Sequence, residues 1–194
     1  MEEHKKYLDE IIIKRRKQME KRRYSSIQSG IYAGDELVIF AETELFGGSV
    51  KLFLPETFTD MPEEIRRVKY SCKNSPPVIR MDSSGETAFS FQMVEKHLDH
   101  SELEAALGQL RKILGKQQPS SVVLGKGIEK GMQESVAWMD YKGCGIDQAL
   151  YQCLFTVSVR GQMMLGMFHC PFDRAEAWKP VVKEVIKTIC TEGA

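Results

Sequence analysis

The chain has 194 residues, enough for one ordinary domain with a short extension. Its 27 Lys and Arg residues balance its 27 Asp and Glu residues, which excludes electrostatic capture of nucleic acid by the whole chain. A hydrophobic content of 42% and a charged content of 28% are typical of a soluble, folded protein and exclude disorder throughout.

The first block, residues 1–23, predicts a basic N-terminal helix that contains neither Gly nor Pro. A short apolar stripe of Tyr7, Leu8, Ile11 and Ile12 is followed by the basic residues of 14–23. Three roles fit this helix: packing on the domain or on a second copy as a homodimer, contact with nucleic acid or lipid, and recruitment of another protein. Residues 24–35 are interpreted as a linker and residues 36–194 as the folded domain.

The first half of this domain is predicted to contain mostly strands. They are joined by glycine turns and interrupted by one helical turn that begins at Pro62. The predicted elements are strands at 36–43, 49–54, 78–81 and 87–93, turns at 47–48 and 83–85, and the helical turn at 62–67.

The second half is predicted as a helix, a meander of three or four strands and a last helix. Capping boxes are expected at Ser101 with Glu104 and at Asp173 with Glu176, and Gly115 is expected just past the end of the first helix. The Gly161-Gln162 pair is interpreted as a two-residue hairpin turn. The predicted elements are helices at 101–114 and 174–190 and strands at 121–128, 132–141, 149–160 and 163–169.

This order predicts an α+β sandwich. Strands outnumber helices, and hairpins rather than crossovers join them, which favours a mainly antiparallel sheet with helices on its faces.

Few residues are arranged as in known catalytic sites. The sequence Gly125-Lys126-Gly127 lacks the ending of a phosphate-binding loop and is interpreted as a strand turn or bulge. An enzyme or small-ligand site would have to combine residues from His97, His100, Cys144 and His169. No cofactor and no metal are indicated. Five cysteines at irregular spacing, after an N-terminus too charged for a signal peptide, predict reduced thiols in a cytoplasmic protein.

Three short motifs lie in the first third of the domain: Glu44–Val50 with its two glycines, Pro55-x₂-Phe58-x-Asp60, and Ile65–Val68. Together they resemble the opening of the Mog family of Ran-GTPase-binding proteins. That family shares a fold with the photosystem subunit PsbP and with a bacterial group that includes DcrB-like proteins. The resemblance implies an α/β/α sandwich around an antiparallel sheet, with the N-terminal helix as an addition.

The resemblance also implies a function, namely a non-catalytic domain that binds another protein as an adaptor or chaperone. The positions that match the family's motif are Phe58, Asp60, Ile65 and Arg66, which are therefore candidate partner-binding residues. In the alternative interpretation Phe58 and Ile65 belong to the core and Asp60 caps the helical turn at Pro62. The chain differs from the family after Val68, where Lys69–Asn74 replaces an acidic run important for Ran contact.

Overall fold

A computed structural model describes residues 2–70, 75–145 and 147–191. The helices are α1 Glu2–Arg23, α2 Glu63–Lys69, α3 Leu103–Gln117 and α4 Ala175–Lys187. The strands of the first half are β1 Ser25–Ser26, β2 Gly30–Ala33, β3 Glu36–Val38, β4 Phe40–Leu45, β5 Val50–Pro55, β6 Thr59–Asp60, β7 Val78–Met81 and β8 Ala88–His97. The strands of the second half are β9 Val122–Lys130, β10 Ser135–Cys144, β11 Ala149–Val159, β12 Gln162–Pro171 and β13 Cys190–Thr191.

The centre of the fold is a seven-stranded sheet in the order β6-β7-β8-β12-β11-β10-β9. Every neighbouring pair in it is antiparallel. Two three-stranded sheets accompany it, one in the order β1-β2-β3 and the other in the order β13-β5-β4. The predicted antiparallel sheet is therefore confirmed.

Each face of the large sheet has its own apolar core, because successive strand residues point to opposite faces. On one face, the apolar stripe of α3 packs on Met139, Tyr141 and Leu154 of the sheet. On the other face, α4 and strand β5 pack on a second and larger set of side chains that includes Phe89 and Phe155. The result is the predicted α/β/α sandwich with an additional N-terminal helix.

The hairpin between β11 and β12 shows how local sequence sets the register. Val159 pairs with Gln162, so the two turn residues are Arg160 and Gly161 rather than the predicted Gly161 and Gln162. Both have positive φ, 53° and 77°, as a type I′ turn requires. In this register Val157 and Val159 lie buried in the large core.

Residues 24–35, interpreted from composition as a linker, contain β1 and β2 instead. Strand β2 pairs with β3, and Ile27 and Ile31 belong to the large core. Its turns lie at residues 27–29 and 34–35, and the buried Ile27 and Ile31 hold the segment against the core. The division of the chain into domains at these boundaries stays a prediction.

Both predicted capping boxes are wrong, because a short 3₁₀ turn precedes each helix and moves its start. Before α3, the box is formed by Asp99 and Glu102, where the Asp99 N–H donates to the Glu102 carboxylate at 3.2 Å. Helix α4 begins after the turn Phe172–Arg174 and has no side-chain cap. Gly115 lies inside α3 rather than beyond its end.

Candidate functional site

Strand β9 forms one edge of the large sheet. Among the described residues it pairs with β10 alone, and its nine residues span about 30 Å. Its exposed and half-buried residues alternate along the whole strand, and Val122, Leu124 and Ile128 have 57%, 42% and 50% of their surface exposed. A long edge strand with exposed apolar side chains readily adds a further strand.

Two glycines of β9 lie against the side chains of β10, where larger residues would not fit. The large residues that alternate with them are therefore exposed to solvent. Gly125 and Gly127 pair with Asp140 and Trp138 of β10. A Cβ atom at Gly127 would lie 3.2 Å from the Trp138 ring, and one at Gly125 would lie 2.9 Å from an Asp140 carboxylate oxygen. The Gly-Lys-Gly sequence therefore lies within a strand, next to an irregularity in the β9–β10 register, as the strand-bulge interpretation predicted.

A polar cluster lies under the edge, between β10, β11 and α4. The Tyr151 hydroxyl donates to the buried Asp140 carboxylate at 3.2 Å, and the Lys183 ammonium lies against the Trp138 ring. Burial lowers the pKa of Lys183 to about 8, and the nearby Cys153 and Asp140 partly oppose this shift. This cluster joins β10 to α4 and fixes the strand on which β9 rests.

A groove of about 350 Å³ separates β9 from α3. Leu107, Ile128 and Met139 give it an apolar lining, and Glu104, Arg111 and Lys126 supply its charged side chains. One carboxylate faces two cations there, and the exposed Lys130 follows at the end of the strand. The edge and groove, called here the β9 surface, can accept an extended chain through backbone hydrogen bonds and apolar side chains.

The four residues that match the family motif lie at the opposite edge of the sheet, and they have separate surroundings. Phe58 is buried between Phe89 and Trp178, with ring centroids 6.2 and 5.9 Å away. Ile65 packs against a small apolar cluster around β7. Their surroundings fit the alternative interpretation of these two residues as core.

The two polar residues of the motif make surface contacts. Asp60 is exposed and forms a 3.2 Å ion pair with Arg80, and no side chain caps α2 at Pro62, so the predicted cap is wrong. Arg66 donates a hydrogen bond to the Pro77 carbonyl at 3.2 Å. A partner-binding role for these residues stays a prediction.

The candidate histidines and cysteine do not come together. His97 contacts Asp99 at 3.0 Å, His100 contacts Glu134 at 3.3 Å, and Cys144 lies beside Ser120. His169 lines a separate cleft of about 390 Å³ together with Lys69, Gln152 and Met167. Within the described part of the chain, no three His, Cys, Asp or Glu side chains are placed to hold a metal ion.

His169 is uncharged near neutral pH. Burial lowers its pKa to about 4, with a further decrease from Lys69 and an opposing effect from Asp82. The adjacent Cys170 points into the large core, where burial raises its pKa to about 12. The two side chains therefore cannot act together as a thiolate and its base.

Comparisons with known proteins find similarity in structure but not in sequence. No family model and no curated protein matches the sequence. Among solved structures, cyanobacterial PsbP from Synechocystis sp. PCC 6803 matches with a TM-score of 0.56 and 9% identity, over 81% of this chain and 95% of that one. The Ran-binding protein Mog1p of Saccharomyces cerevisiae matches with a TM-score of 0.51 and 10% identity, over 79% and 96%.

The chain has a Mog/PsbP-like fold. The predicted resemblance is therefore confirmed at the level of architecture, although identities near 10% carry no function across. None of the described helices is both long and apolar enough to cross a membrane.

Sequence reasoning found strand β9 but missed the β9 surface. The alternation of Leu124, Lys126 and Ile128 with Gly125 and Gly127 was a usable signal for a strand with one face exposed. The position of β9 at the edge depends on the pairing of six other strands, which no local pattern encodes.

Proposed function

We propose that the chain is a non-catalytic, cytoplasmic protein-binding domain that acts as an adaptor or chaperone. It binds an extended segment of its partner as an eighth strand beside β9. The observation that carries this proposal is the free nine-residue edge with Val122, Leu124 and Ile128 exposed. The separation of the candidate histidines supports the absence of a catalytic role.

The charges of the β9 surface define the chemistry of its occupant. Lys126 and Lys130 alternate with apolar residues along the strand, and Arg111 adds a cation across the groove. In an added strand, side chains directly opposite one another interact, and opposite charges stabilise the pairing. The partner segment therefore alternates apolar residues with Asp or Glu.

A displayed library of random twelve-residue peptides, selected on the full-length protein, tests this proposal. We expect enrichment of peptides in which apolar and acidic residues alternate. Their affinity should fall at least tenfold for the double variant Leu124→Lys/Ile128→Lys, because the peptide loses its apolar contacts with these two side chains.

Val68 provides the matched control, since it is 76% exposed but lies on α2. Val68→Lys should leave the selected peptides bound with unchanged affinity. Peptides that bind the β9 double variant as tightly as the wild type would contradict the β9 site. Loss of binding in Val68→Lys would instead place the site near the family-motif residues Phe58, Asp60, Ile65 and Arg66.

A second candidate function is binding of a small ligand in the His169 cleft. Its neutral imidazole, the amide of Gln152 and the Lys69 ammonium surround a space of about 390 Å³, within the usual range for ligand pockets. A thermal-shift screen of metabolites supports this function if a compound stabilises the wild type but not His169→Phe. If the screen finds no such compound, that result counts against a ligand site in this cleft.

A further inference from the structure

The second half of helix α1 contacts the domain through one side. The Lys17 and Lys21 ammonium groups lie 4.0 and 3.4 Å from an Asp35 carboxylate oxygen, and Lys21 Nζ lies 5.9 Å from the centre of the Tyr32 ring. Asp35 and Tyr32 belong to the hairpin of β2 and β3. These contacts define the side of α1 that faces the domain, and the opposite side faces solvent.

The side of α1 that faces solvent is centred on Met19. Each residue of a helix is turned by about 100° from the one before it, so that Ile12 lies about 20° from Met19. All four arginines of residues 11–23 lie within about 60° of Met19, two on each side of it. They are Arg15 and Arg22 on one side and Arg16 and Arg23 on the other. These six residues form what is called here the outer face of α1.

The lysines of this stretch lie on the other side of the helix. Lys14, Lys17 and Lys21 are turned about 140–160° from Met19, which agrees with the contacts of the last two to Asp35. Glu20, which is the one carboxylate of residues 11–23, is turned about 100° from Met19. The outer face therefore carries four guanidinium groups and no negative charge.

Four guanidinium groups on one face are complementary to phosphate groups. A guanidinium donates two parallel N–H groups to the oxygens of one phosphate, and it stays charged at any physiological pH. Every residue from Ile12 to Arg23 is exposed, so that all four groups are free to meet a surface from one direction. The outer face thus fits a surface of many phosphates.

The apolar residues at its centre favour a lipid surface over nucleic acid. Ile12 and Met19 are 49% and 71% exposed. A phosphodiester backbone would give them no apolar contact. At a bilayer, apolar side chains enter the boundary of the acyl chains while the basic residues beside them meet the headgroups. The two residues are about 10 Å apart along the helix axis and point almost the same way, so a helix that lies flat inserts both.

We propose that the outer face of α1 binds a membrane surface that contains anionic phospholipids. The helix lies in the plane of the surface, with Ile12 and Met19 inserted and two arginines on each side at the headgroup phosphates. This activity is separate from peptide binding at the β9 surface and does not depend on it. Anionic lipids attract basic residues over a distance that salt shortens, so the binding is reversible and sensitive to salt.

Co-sedimentation of the full-length protein with vesicles tests this proposal. We expect at least tenfold tighter binding to vesicles with about 30% phosphatidylserine than to phosphatidylcholine alone, and loss of binding at about 500 mM salt. No binding to either, or equal binding to both, would overturn the proposal. So would a protein that ignores the vesicles but binds a short RNA or DNA duplex, because nucleic acid would then be the partner of α1.

Two variants that remove the same charge from opposite sides of α1 test the face itself. Arg16→Gln/Arg22→Gln should weaken binding to the anionic vesicles at least fivefold, whereas Lys14→Gln/Lys21→Gln should weaken it less than twofold. Equal losses would contradict a defined face and would show that only the total charge of the segment matters. Thermal unfolding followed by circular dichroism checks that both variants keep the fold of the wild type.

A fluorescent probe at the centre of the face measures insertion. We expect the emission of Met19→Trp to shift to shorter wavelength on the anionic vesicles, because the indole leaves water. Gln18→Trp, turned about 100° away, should shift little. The spectrum of the wild type, which contains Trp138 and Trp178, is subtracted from both. No shift in Met19→Trp, or an equal shift in both variants, would contradict the proposed orientation of the helix.

Discussion

The two edges of the large sheet are built in contrasting ways. At the β6 edge the strand has two residues, Asp60 holds Arg80, and α2 follows at once. At the β9 edge the strand has nine residues and exposes branched apolar side chains. Short strands and charges are common devices that prevent unwanted pairing. The β9 edge also carries charges, Lys126 and Lys130, so the contrast lies in its length and in its exposed apolar side chains, on which the proposed partner site rests.

The largest expected effect on stability comes from substitution of Phe58, which lies beside the β6 edge. If it supports the core rather than a partner, Phe58→Ala leaves a cavity between Phe89 and Trp178 and lowers the free energy of unfolding by about 3–5 kcal/mol. Urea unfolding followed by tryptophan fluorescence measures this loss. A change below about 1 kcal/mol would show that Phe58 does not carry the packing of this edge.

His169 lies on β12, between the two edges of the sheet. It should make the free energy of unfolding depend on pH. Its folded pKa of about 4 lies below the usual value near 6.5, so protonation favours the unfolded chain. The stability it contributes is complete above pH 6.5 and is lost as the pH falls towards 4, by up to about 3 kcal/mol.

Unfolding free energies of the wild type and His169→Gln between pH 7 and 4 measure this contribution. The substitution should flatten the pH dependence of the free energy of unfolding over this range. Identical slopes in wild type and His169→Gln would refute the low pKa of the half-buried imidazole.

A smaller effect on stability is expected from removal of the ion pair at the β6 edge. Asp60→Ala removes the exposed ion pair to Arg80 and should lower the free energy of unfolding by no more than about 1 kcal/mol. Affinity for the selected peptides should remain that of the wild type, as measured by fluorescence anisotropy. A tenfold loss of affinity would move the binding site to this edge and support the family-motif residues.

The smallest effect on stability is expected where the effect on binding is largest. Leu124→Lys/Ile128→Lys changes two exposed positions, so the free energy of unfolding should change by about 0.5 kcal/mol per site or less. Guanidinium unfolding provides this comparison. A loss of several kcal/mol would mean that these side chains pack in the core and that the β9 edge is not a surface free for binding.

Sequence patterns predicted the fold in its regular parts and failed where local signals compete. The stripe of α3 and the alternation in β11 depend on period alone, and both were placed closely. The starts of α3 and α4 were placed within two residues, but their capping boxes were predicted wrongly because a 3₁₀ turn precedes each helix. Strand β2 was missed because its four residues are stabilised by tertiary burial and not by propensity.

The candidate site was less predictable than the fold. Phe58 and Ile65 are buried or half-buried beside one edge, while the exposed β9 surface lies at the other. A strand's place in a sheet is decided by long-range pairing, so Val122 and Ile128 had the same local pattern that an internal strand would show.

Amide hydrogen exchange along the sheet edges tests the central claim most directly. In the free protein the outward amides of β9 should exchange rapidly, and a selected peptide should slow them at least tenfold, because the added strand takes up their hydrogen bonds. Exchange at β6 and β7 should not change. Protection at β6 and β7 with β9 unaffected would contradict the claim that β9 is the binding edge.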